Sequence, residues 1–338
     1  MQALLSHRPG GPETLTLGTL PSRPPGPGEV TISVHACGVN YFDYLIIQDK
    51  HHTIPQRPFA PGGEVAGVIS AVGDGVDSAW LGRRVVVGSL PFGGMAEELV
   101  IGAEFCNPIP EGMSFEVAAG YALTYGTAYY GLKNLARMKA GETLLVLGAA
   151  GGVGLAAVEL GRAMGARVIA AVSSPEKLAT AIEHGAHDGV VYPRGPFDAA
   201  GQKALAHMFK QACGPRGADV ICDPVGGDYS EAAVRALRPD GRSLIIGFPA
   251  GIPKLPLNLV LLKACQILGC FWGPWVWREP QDSRTNMDEL AALYERGDIR
   301  PWVSQAFGFG QGGQAIACLA ARQALGKLVV NVRPPAAA

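Results

Sequence analysis

The sequence predicts an α/β protein in which a doubly wound parallel sheet is inserted into a β-rich domain. Three observations lead to this fold class. Roughly the first 120 residues contain short apolar runs separated by Pro and Gly. The middle of the chain alternates strand and helix patterns. The secondary-structure segments at the end of the chain are too few to form a core of their own. A chain of 338 residues also has the length of about two domains.

The N-terminal strands are predicted where apolar runs end at Gly or Pro, at 30–34, 65–72 and 84–87. From residue 142 onward, strands alternate with helices, which indicates a parallel sheet covered by helices. The expected strands are 143–147, 168–172, 189–192, 220–222 and 243–248, and the expected helices are 152–165 and 176–184. A helix at 285–295 and a strand at 328–332 should return to the first domain. We therefore expect one domain from 1–122 plus 262–338 and another from 123–261.

Composition excludes several classes of protein. The formal net charge is −1, from 28 basic and 29 acidic residues, so no overall field attracts nucleic acid or an anionic membrane. Charged residues make up 17% of the chain, below the usual ~25%, which favours a buried subunit interface. The longest apolar stretch, 255–277, contains Asn258, Lys263, Gln266 and two prolines, which favours an interface or cleft wall over a membrane span.

The N-terminus lacks a signal-peptide pattern, and the seven cysteines show no paired Cys-x-x-Cys spacing. We expect a reducing, cytoplasmic location with neither a disulfide framework nor a structural zinc lobe.

A glycine cluster follows the first strand of the alternating region and opens a helix. Gly148 and Gly151 permit a tight turn, Gly151 and Gly152 let the backbone approach a pyrophosphate, and Gly154 lets the helix pack closely on its strand. The pyrophosphate would meet free N–H groups at the helix N-terminus. Ala149 stands at the first position of the usual three-glycine pattern, and an ordinary tight turn is the alternative. The strand–turn–helix context favours a dinucleotide site.

The end of the second strand of this region indicates which dinucleotide binds. Enzymes that use NAD place an acid there to hold the ribose 2′-hydroxyl. This chain has Ser173 and Ser174, with Lys177 one turn later, and hydroxyls with a lysine suit a 2′-phosphate. The pattern predicts NADPH. Glu176 could reverse this preference, and Lys177 could instead lie on a solvated helix face.

Nearly the whole chain resembles the zinc-less quinone oxidoreductase branch of the medium-chain dehydrogenase/reductase superfamily. The resemblance rests on HACGVNYFDYLI, PGGEVAGVISAVGDGV, ALTYGTAYYGL, KAGETLLVLGAAGGVG, SSPEKLA, CDPVGG, LIIGFPAG, FWG and GKLVVNV. It implies a Rossmann domain inserted in a GroES-like domain. It also implies a homodimer that pairs its nucleotide-binding sheets edge to edge near Ser243 to Gly247, with Leu257, Val260 and Leu261 at the contact.

The zinc enzymes of this superfamily hold their catalytic metal with Cys, His and a third ligand. Cys37 resembles the first ligand, but Gly63 replaces the histidine in Gly62-Gly63-Glu64. The resemblance therefore implies no zinc, and Cys37 is expected to be a small buried residue.

The resemblance also implies a set of site residues. Those near the reacting groups are Asn40, Tyr41, His51 and Thr127. The amide of Asn40 would bind a ribose or carbonyl oxygen, and Tyr125 would share the nicotinamide wall with Thr127. The expected cofactor contacts are Asn40 and Thr127, Gly151, Gly152 and Val153 at the pyrophosphate, Ser173, Lys177 and Tyr192 at the 2′-phosphate, Gly247, Phe248 and Ala250, Phe271, Trp272 and Gly273 in two loops flanking the nicotinamide, and Lys327 from the last strand.

Each assignment has a plainer alternative. Asn40 could cap a turn, Thr127 could be a hydroxyl inside a helix, and Tyr192, Phe271 and Trp272 could belong to the core. Tyr41, Tyr44 and His51 are the candidate proton donors or substrate contacts; many relatives carry tyrosine at the position of His51, which could instead be a surface histidine. Asp43 is expected to be structural.

These features together predict an NADPH-dependent enzyme that transfers hydride to a quinone. One alternative is reduction of an activated double bond in an enone, enal, enoyl thioester or haloacrylate. Another is a protein that binds NADPH without significant turnover. The resemblance is compatible with all three functions. The predicted site includes no catalytic dyad or triad that would distinguish one from another.

Overall fold

The computed structural model describes residues 1–322 and 324–334. Contacts divide the chain into two compact units. Unit 1 contains Met1–Leu123, Gly273–Glu295 and the segment from 301 to 334, and unit 2 contains Thr124–Trp272 and Arg296–Arg300. Each is described by itself below.

The strands, in chain order, are β1 (Gln2–Leu5), β2 (Thr16–Thr19), β3 (Glu29–Val39), β4 (Glu64–Val72), β5 (Arg84–Val87), β6 (Glu98–Gly102), β7 (Asn107–Pro108), β8 (Thr143–Leu147), β9 (Arg167–Val172), β10 (Asp188–Val191), β11 (Ala218–Asp223), β12 (Leu237–Ile245), β13 (Gln266–Gly269), β14 (Val303–Gly308) and β15 (Lys327–Asn331). The helices are α1 (Tyr41–Ile46), α2 (Phe115–Tyr129), α3 (Gly152–Ala163), α4 (Pro175–Glu183), α5 (Ala199–Cys213), α6 (Asp228–Ala236), α7 (Leu257–Lys263), α8 (Trp272–Arg278), α9 (Pro280–Glu295) and α10 (Gly312–Ala320). A π-helical turn, Tyr130–Leu135, continues α2.

Unit 1 is built on a sheet with the order β14-β15-β3-β4-β5-β7, and β6 also pairs with β3. The C-terminal strand β15 runs antiparallel to β3, with Leu328 opposite Val39. Apolar side chains such as Ile32, Val65 and Val330 form a buried core on this sheet. The last strand therefore joins the N-terminal part of the chain, as the sequence predicts.

Unit 2 is built on a parallel sheet with the order β10-β9-β8-β11-β12-β13. Counted along the chain this is the 3-2-1-4-5-6 order of a doubly wound dinucleotide fold. The strand order reverses between β8 and β11, and ligands of such sheets bind outside the carboxyl ends of the strands at that point. The α/β fold class is confirmed.

The apolar stretch 255–277 differs in detail from the expectation. It forms α7, β13 and α8, and β13 pairs in parallel with β12, with Ser243 opposite Ile267. Residues 262–272, which we assigned to the other domain, therefore extend unit 2. The edge strands of its sheet are β10 and β13, whereas the strand that contains Ser243 lies inside the sheet. In the described part of the chain, no helix is both long and apolar enough to cross a membrane.

Candidate functional site

The predicted phosphate cradle of unit 2 lies where β8 ends and α3 begins. Gly148 has a φ of +58°, which favours glycine, and Gly151 is the N-cap of α3. A Cβ at Gly154 would lie 2.1 Å from the carbonyl oxygen of Gly148, so only glycine lets the helix pack here. A Cβ at Gly151 would meet that oxygen at 3.4 Å. The first-turn N–H groups of α3 therefore remain approachable, and these residues fit a bound pyrophosphate.

The carboxyl end of β9 carries the predicted 2′-phosphate contacts. Ser174 caps α4, and its Oγ accepts a hydrogen bond from the backbone N of Lys177 at 3.3 Å. Ser173 and Lys177 are half-buried at the same helix start. Ser173 and Lys177 thus lie at the same end of α4, and their role at a 2′-phosphate stays a prediction.

Tyr192 lies in the core of unit 2. Its ring centroid is 4.9 Å from that of Tyr229 and 5.9 Å from that of Phe209, and the residue is 6% exposed. The ring itself belongs to the core, because β10 directs it onto α5 and α6. A role at the 2′-phosphate would fall to its hydroxyl and stays a prediction.

Asp223 is a site residue that the sequence reasoning missed. Its buried carboxylate accepts hydrogen bonds from the backbone N of Val225 and of Gly226, both at 2.9 Å, and from Ser230 Oγ at 2.5 Å. Burial raises the pKa of this carboxyl, while the hydrogen bonds oppose the shift. The sequence signal that could have identified Asp223 is an acidic residue at the end of an apolar strand, directly before Pro-Val-Gly-Gly. Asp223 shapes the loop at the carboxyl end of β11.

That loop is joined to the one after β12. The backbone N of Ala250 donates to the oxygen of Val225 at 2.9 Å, and a Cβ at Gly227 would lie 2.5 Å from the oxygen of Ala250. Phe248 is exposed on this loop, and a Cβ at Gly247 would meet the oxygen of Pro224 at 3.7 Å, an ordinary contact. Both residues therefore remain candidates for the nicotinamide contact.

The two aromatic residues of the Phe-Trp-Gly segment have different surroundings. Phe271 is exposed, whereas Trp272 is buried, and a Cβ at Gly126 would lie 2.4 Å from its ring. The side chain of Trp272 thus packs inside unit 2, and the place of residues 271–273 in a loop beside the nicotinamide stays a prediction. Gly273 begins the next segment of unit 1.

Thr127 and Tyr125 lie on the part of α2 that belongs to unit 2. Thr127 is buried, and its carbonyl oxygen accepts from the thiol of Cys270 at 3.6 Å. The hydroxyl of Tyr125 donates to Glu159 Oε2 at 2.7 Å, and the same carboxylate holds His184 and the backbone N of Arg300. The hydroxyl of Tyr125 is therefore bonded to Glu159 and does not face the nicotinamide, contrary to the expectation for this residue.

Unit 1 contains a buried cluster of three polar side chains, Asn40, Glu64 and Lys327. Asn40 follows β3, Glu64 begins β4 and Lys327 begins β15, so the sheet register brings them together. Lys327 Nζ forms an ion pair with the Glu64 carboxylate and donates to Asn40 Oδ1 at 2.6 Å. Asn40 Nδ2 donates to Glu64 Oε1 at 3.0 Å, and the backbone N of Leu123 donates to Glu64 Oε2 at 2.8 Å.

This cluster restricts what Asn40 can bind. One hydrogen of its Nδ2 goes to Glu64 and the other to the carbonyl oxygen of Gly38, at 3.3 Å. The amide has no further hydrogen for a carbonyl oxygen, so that part of the expectation is corrected. The second lone pair of Oδ1 remains for a hydroxyl donor.

The residues after Asn40 are placed on α1 and the loop that follows it. The ring of Tyr41 lies 5.9 Å from that of Tyr44. His51 is half-buried, and its Nδ1 accepts from the backbone N of Thr53 at 3.3 Å. Burial, and then the neighbouring His52, lower the pKa of His51. At neutral pH it is therefore a neutral imidazole with its hydrogen on Nε2.

Asp43 is fully buried beneath the start of α1. Its carboxylate accepts from the backbone N of Asn40 and the backbone N of Gly62, both at 2.8 Å. Burial raises its pKa to about 7, against these two hydrogen bonds. Asp43 ties the end of β3 to the chain before β4, which is the structural role that the sequence predicts.

The residues of unit 1 do not fit a catalytic zinc ion. A Cβ at Gly63 would lie 1.9 Å from Cζ of Phe42, so the aromatic ring fills the space of the histidine that zinc enzymes carry. Cys37 is buried, and burial raises the pKa of its thiol well above the usual value, in keeping with the small buried residue that the sequence predicts. Across 1–322 and 324–334, no three His, Cys, Asp or Glu side chains are grouped as metal ligands.

Comparison with known proteins agrees with this architecture. Residues 26–111 match the alcohol dehydrogenase GroES-like domain family, and residues 152–292 match the zinc-binding dehydrogenase family. The chain is 36% identical over 311 residues to the quinone oxidoreductase-like protein 2 homolog of Nematostella vectensis, covering 91% of this chain and 83% of that protein. It is 32% identical over 324 residues to a quinone oxidoreductase of Pseudomonas aeruginosa, covering 95% and 96%.

Among solved structures, the quinone oxidoreductase of Escherichia coli in complex with NADPH superposes with a TM-score of 0.89 at 26% sequence identity, covering 98% of this chain and 100% of that one. The matches extend over both units of the chain. The chain belongs to the medium-chain dehydrogenase/reductase superfamily of oxidoreductases, among its quinone oxidoreductase-like members.

Proposed function

We propose that this protein is an NADPH-dependent oxidoreductase that transfers hydride to a quinone. The observation that carries the proposal is the glycine cradle at the N-terminus of α3, followed at the end of β9 by Ser173 and Lys177 in place of an acid. The relatives named as quinone oxidoreductases, and the one solved with NADPH, support it.

The residues that would hold NADPH lie at the carboxyl ends of β8, β9, β11 and β12. The N–H groups of Gly152 and Val153 and the close backbone of Gly151, whose own N–H donates to the oxygen of Gly148 at 2.9 Å, would contact the pyrophosphate, and Ser173 and Lys177 the 2′-phosphate. Phe248 and Ala250 lie on the loop that Asp223 and Val225 hold in place. When bound, the nicotinamide supplies the hydride.

The described side chains of unit 1 supply hydrogen-bond donors for a substrate oxygen and no strong general acid. Lys327 is a buried cation, and His51 offers an N–H from Nε2, so either can donate a hydrogen bond to an acceptor oxygen. A quinone that accepts the hydride of NADPH and a proton from solvent becomes a hydroquinone, and a positioned hydrogen-bond donor to its oxygen is enough for this reaction. A strong catalytic acid is not required.

A substrate panel tests the proposal. Purified protein is mixed with NADPH and, separately, with a set of quinones and a set of enones, and NADPH oxidation is followed at 340 nm, the usual absorbance of reduced nicotinamide. Turnover of quinones at a kcat/KM well above that of the enones supports the proposal, and the reverse assigns a double-bond reductase. Binding of NADPH without oxidation across both sets would overturn it in favour of a non-enzymatic role.

We also propose a homodimer formed through the edge strand β13 and α7. Leu257, Leu261 and Leu262 are 78%, 79% and 77% exposed in the single chain, next to the unpaired edge of the sheet. Val260, which we expected at this contact, packs partly into the core of unit 2 instead, and Leu262 is the residue that the sequence reasoning missed. Exposed leucines beside an open strand edge favour pairing with a second copy.

Two further expectations belong to this proposal. The described cysteines are free thiols, all buried except the half-buried Cys318, which suits a reducing compartment such as the cytoplasm. The donor set around Cys37 and Gly63 favours a reaction without zinc, and metal analysis of the purified protein tests this. Stoichiometric zinc would contradict it.

A further inference from the structure

We infer that Glu64, to which the family resemblance assigned no role, is a positioning residue that sets Lys327 and Asn40 to bind a hydroxyl group of the cofactor or of the reduced substrate. The inference rests on the proposed function for the identity of these ligands. Its structural basis lies entirely within unit 1.

The carboxylate of Glu64 is fully buried and serves three donors on different elements. Oε1 accepts from Asn40 Nδ2 at 3.0 Å, Oε2 accepts from the backbone N of Leu123 at 2.8 Å, and the ammonium of Lys327 completes the set. A buried carboxylate without such partners would be strongly destabilising. Glu64 therefore determines where both neighbouring side chains point.

Two glycines make room for this arrangement. A Cβ at Gly38 would lie 2.0 Å from the carbonyl oxygen of Ala119 and 2.4 Å from Glu64 Oε1, and a Cβ at Gly120 would lie 2.9 Å from Cγ of Lys327. The carboxylate and the lysine stem thus occupy space that ordinary side chains at these positions would fill. The local sequence is adapted to keep the ion pair inside the unit.

The pair presents a donor next to an acceptor. A lysine ammonium carries three hydrogens, and within the described chain Glu64 and Asn40 take two of those on Lys327. Asn40 Oδ1 accepts from Lys327 and retains a second lone pair. An ammonium hydrogen beside an amide lone pair suits a hydroxyl, which accepts from the first and donates to the second.

Two hydroxyl-bearing ligands share this chemistry, namely a ribose of NADPH and the hydroquinone product. In either case Glu64 acts through Lys327. Without Glu64 the ammonium loses its counter-ion, and Asn40 loses the acceptor that fixes the orientation of its amide.

A double-mutant cycle tests the inference. Glu64→Gln, Lys327→Met and the double variant are compared with the wild type in three measurements: the Kd for NADPH from fluorescence titration, the kcat and KM for a quinone, and the unfolding midpoint. Glu116→Gln is the matched control, because Glu116 is a partly buried carboxylate that accepts from Asn331 Nδ2 at 2.6 Å on the same strand as Lys327.

We expect Glu64→Gln to change binding or turnover by about tenfold or more, the size of a lost charge-assisted hydrogen bond, and to have little further effect in the Lys327→Met background. A raised Kd for NADPH assigns the hydroxyl to the cofactor. An unchanged Kd with a lower kcat or a higher KM assigns it to the product. The inference is wrong if Glu64→Gln changes the Kd for NADPH, kcat and KM no more than Glu116→Gln does. It is also wrong if the effect of Glu64→Gln on these quantities adds fully to that of Lys327→Met.

Two features keep the test decisive. If Glu64→Gln alone does not fold, the double variant is compared with Lys327→Met, because removing both charges leaves no unpaired ion inside the unit. Little difference in the Kd for NADPH, kcat and KM between these two variants supports the inference, and a difference of tenfold or more overturns it. The NADPH titration needs no substrate turnover. A wild type that binds NADPH but reduces no quinone would overturn the proposed function. The double-mutant cycle measured with the Kd for NADPH would still test the role of Glu64.

Discussion

The ring of Phe42 occupies the space that a side chain at position 63 would need, since a Cβ on Gly63 would lie 1.9 Å from Cζ of Phe42. In zinc enzymes of the superfamily a histidine stands at that position. Here the sequence change to glycine and the inward aromatic ring belong together. Restoring a side chain at 63 requires removing the ring as well.

This relationship predicts the effect of Gly63→Ala. The added methyl group overpacks the site and should cost about 1–3 kcal/mol of unfolding free energy, measured from urea denaturation midpoints. Phe42→Leu should relieve the clash, so the double variant should recover part of the loss. Gly82→Ala is not a suitable control because its φ is +77°; Gly269→Ala, with open space around it, is the better one. An unchanged stability for Gly63→Ala would contradict the packing described here.

Gly151 and Gly154 should respond differently to the same substitution. At Gly154 a Cβ would lie 2.1 Å from the oxygen of Gly148, and Gly154→Ala should destabilise the fold by about 1–3 kcal/mol. At Gly151 the contact is 3.4 Å and φ is −87°, so alanine is tolerated. Gly151→Ala should fold normally but weaken NADPH binding by about tenfold, because its methyl group crowds the bound phosphate. Thermal unfolding and fluorescence titration separate the two effects, and equal stability losses would argue against distinct roles.

Lys177 should determine the preference for NADPH over NADH. Lys177→Ala removes a charge-assisted contact to the 2′-phosphate and should raise the KM for NADPH by about tenfold, with little change for NADH. Lys203→Ala, an exposed lysine on α5, serves as the control. Equal KM values for both cofactors in the wild type would refute the roles of Ser173 and Lys177.

The leucines of α7 should control assembly. Leu257 and Leu261 are spaced i, i+4 on one face of α7, and the double change to lysine should give a monomer in light scattering at micromolar concentration. Leu81→Lys tests a comparably exposed leucine of unit 1 and should leave the mass unchanged. A wild type that is already monomeric would rule out this interface.

Asp43 should make stability depend on pH. Its folded-state pKa of about 7 lies above the usual 3.8, so between these values the folded state holds a proton that the unfolded state has released. Its contribution is therefore fully present below about pH 4 and is lost as the pH rises to about 7. Lys327 opposes this shift, and Glu64 adds to it.

Urea midpoints measured from pH 4.5 to 7.5 should show this loss in the wild type relative to Asp43→Asn, which cannot titrate. Asp49→Asn, which removes an ion pair with Arg57, is the control carboxylate nearby. Parallel pH profiles for the wild type and Asp43→Asn would show that Asp43 is ionised throughout.

The sequence by itself determined the class of fold, the order of its elements and the cradle. Alternating strand and helix patterns, and glycines at a strand–helix turn, are local signals that short stretches of chain carry. Most of the expected strands and helices therefore appear within a few residues of their predicted ends, although β12 begins earlier, at Leu237. Several elements were not predicted, among them α2, α5, α6, α10, β13 and β14.

Tertiary structure alone decided the partners of the site residues. Asn40 and Lys327 are 287 residues apart and meet only because β15 pairs with β3. Trp272 and Tyr192 are buried because their strands and helices direct them inward, which residue type does not specify. The role of Glu64 likewise depends on sheet register, since its three donors come from distant parts of the chain.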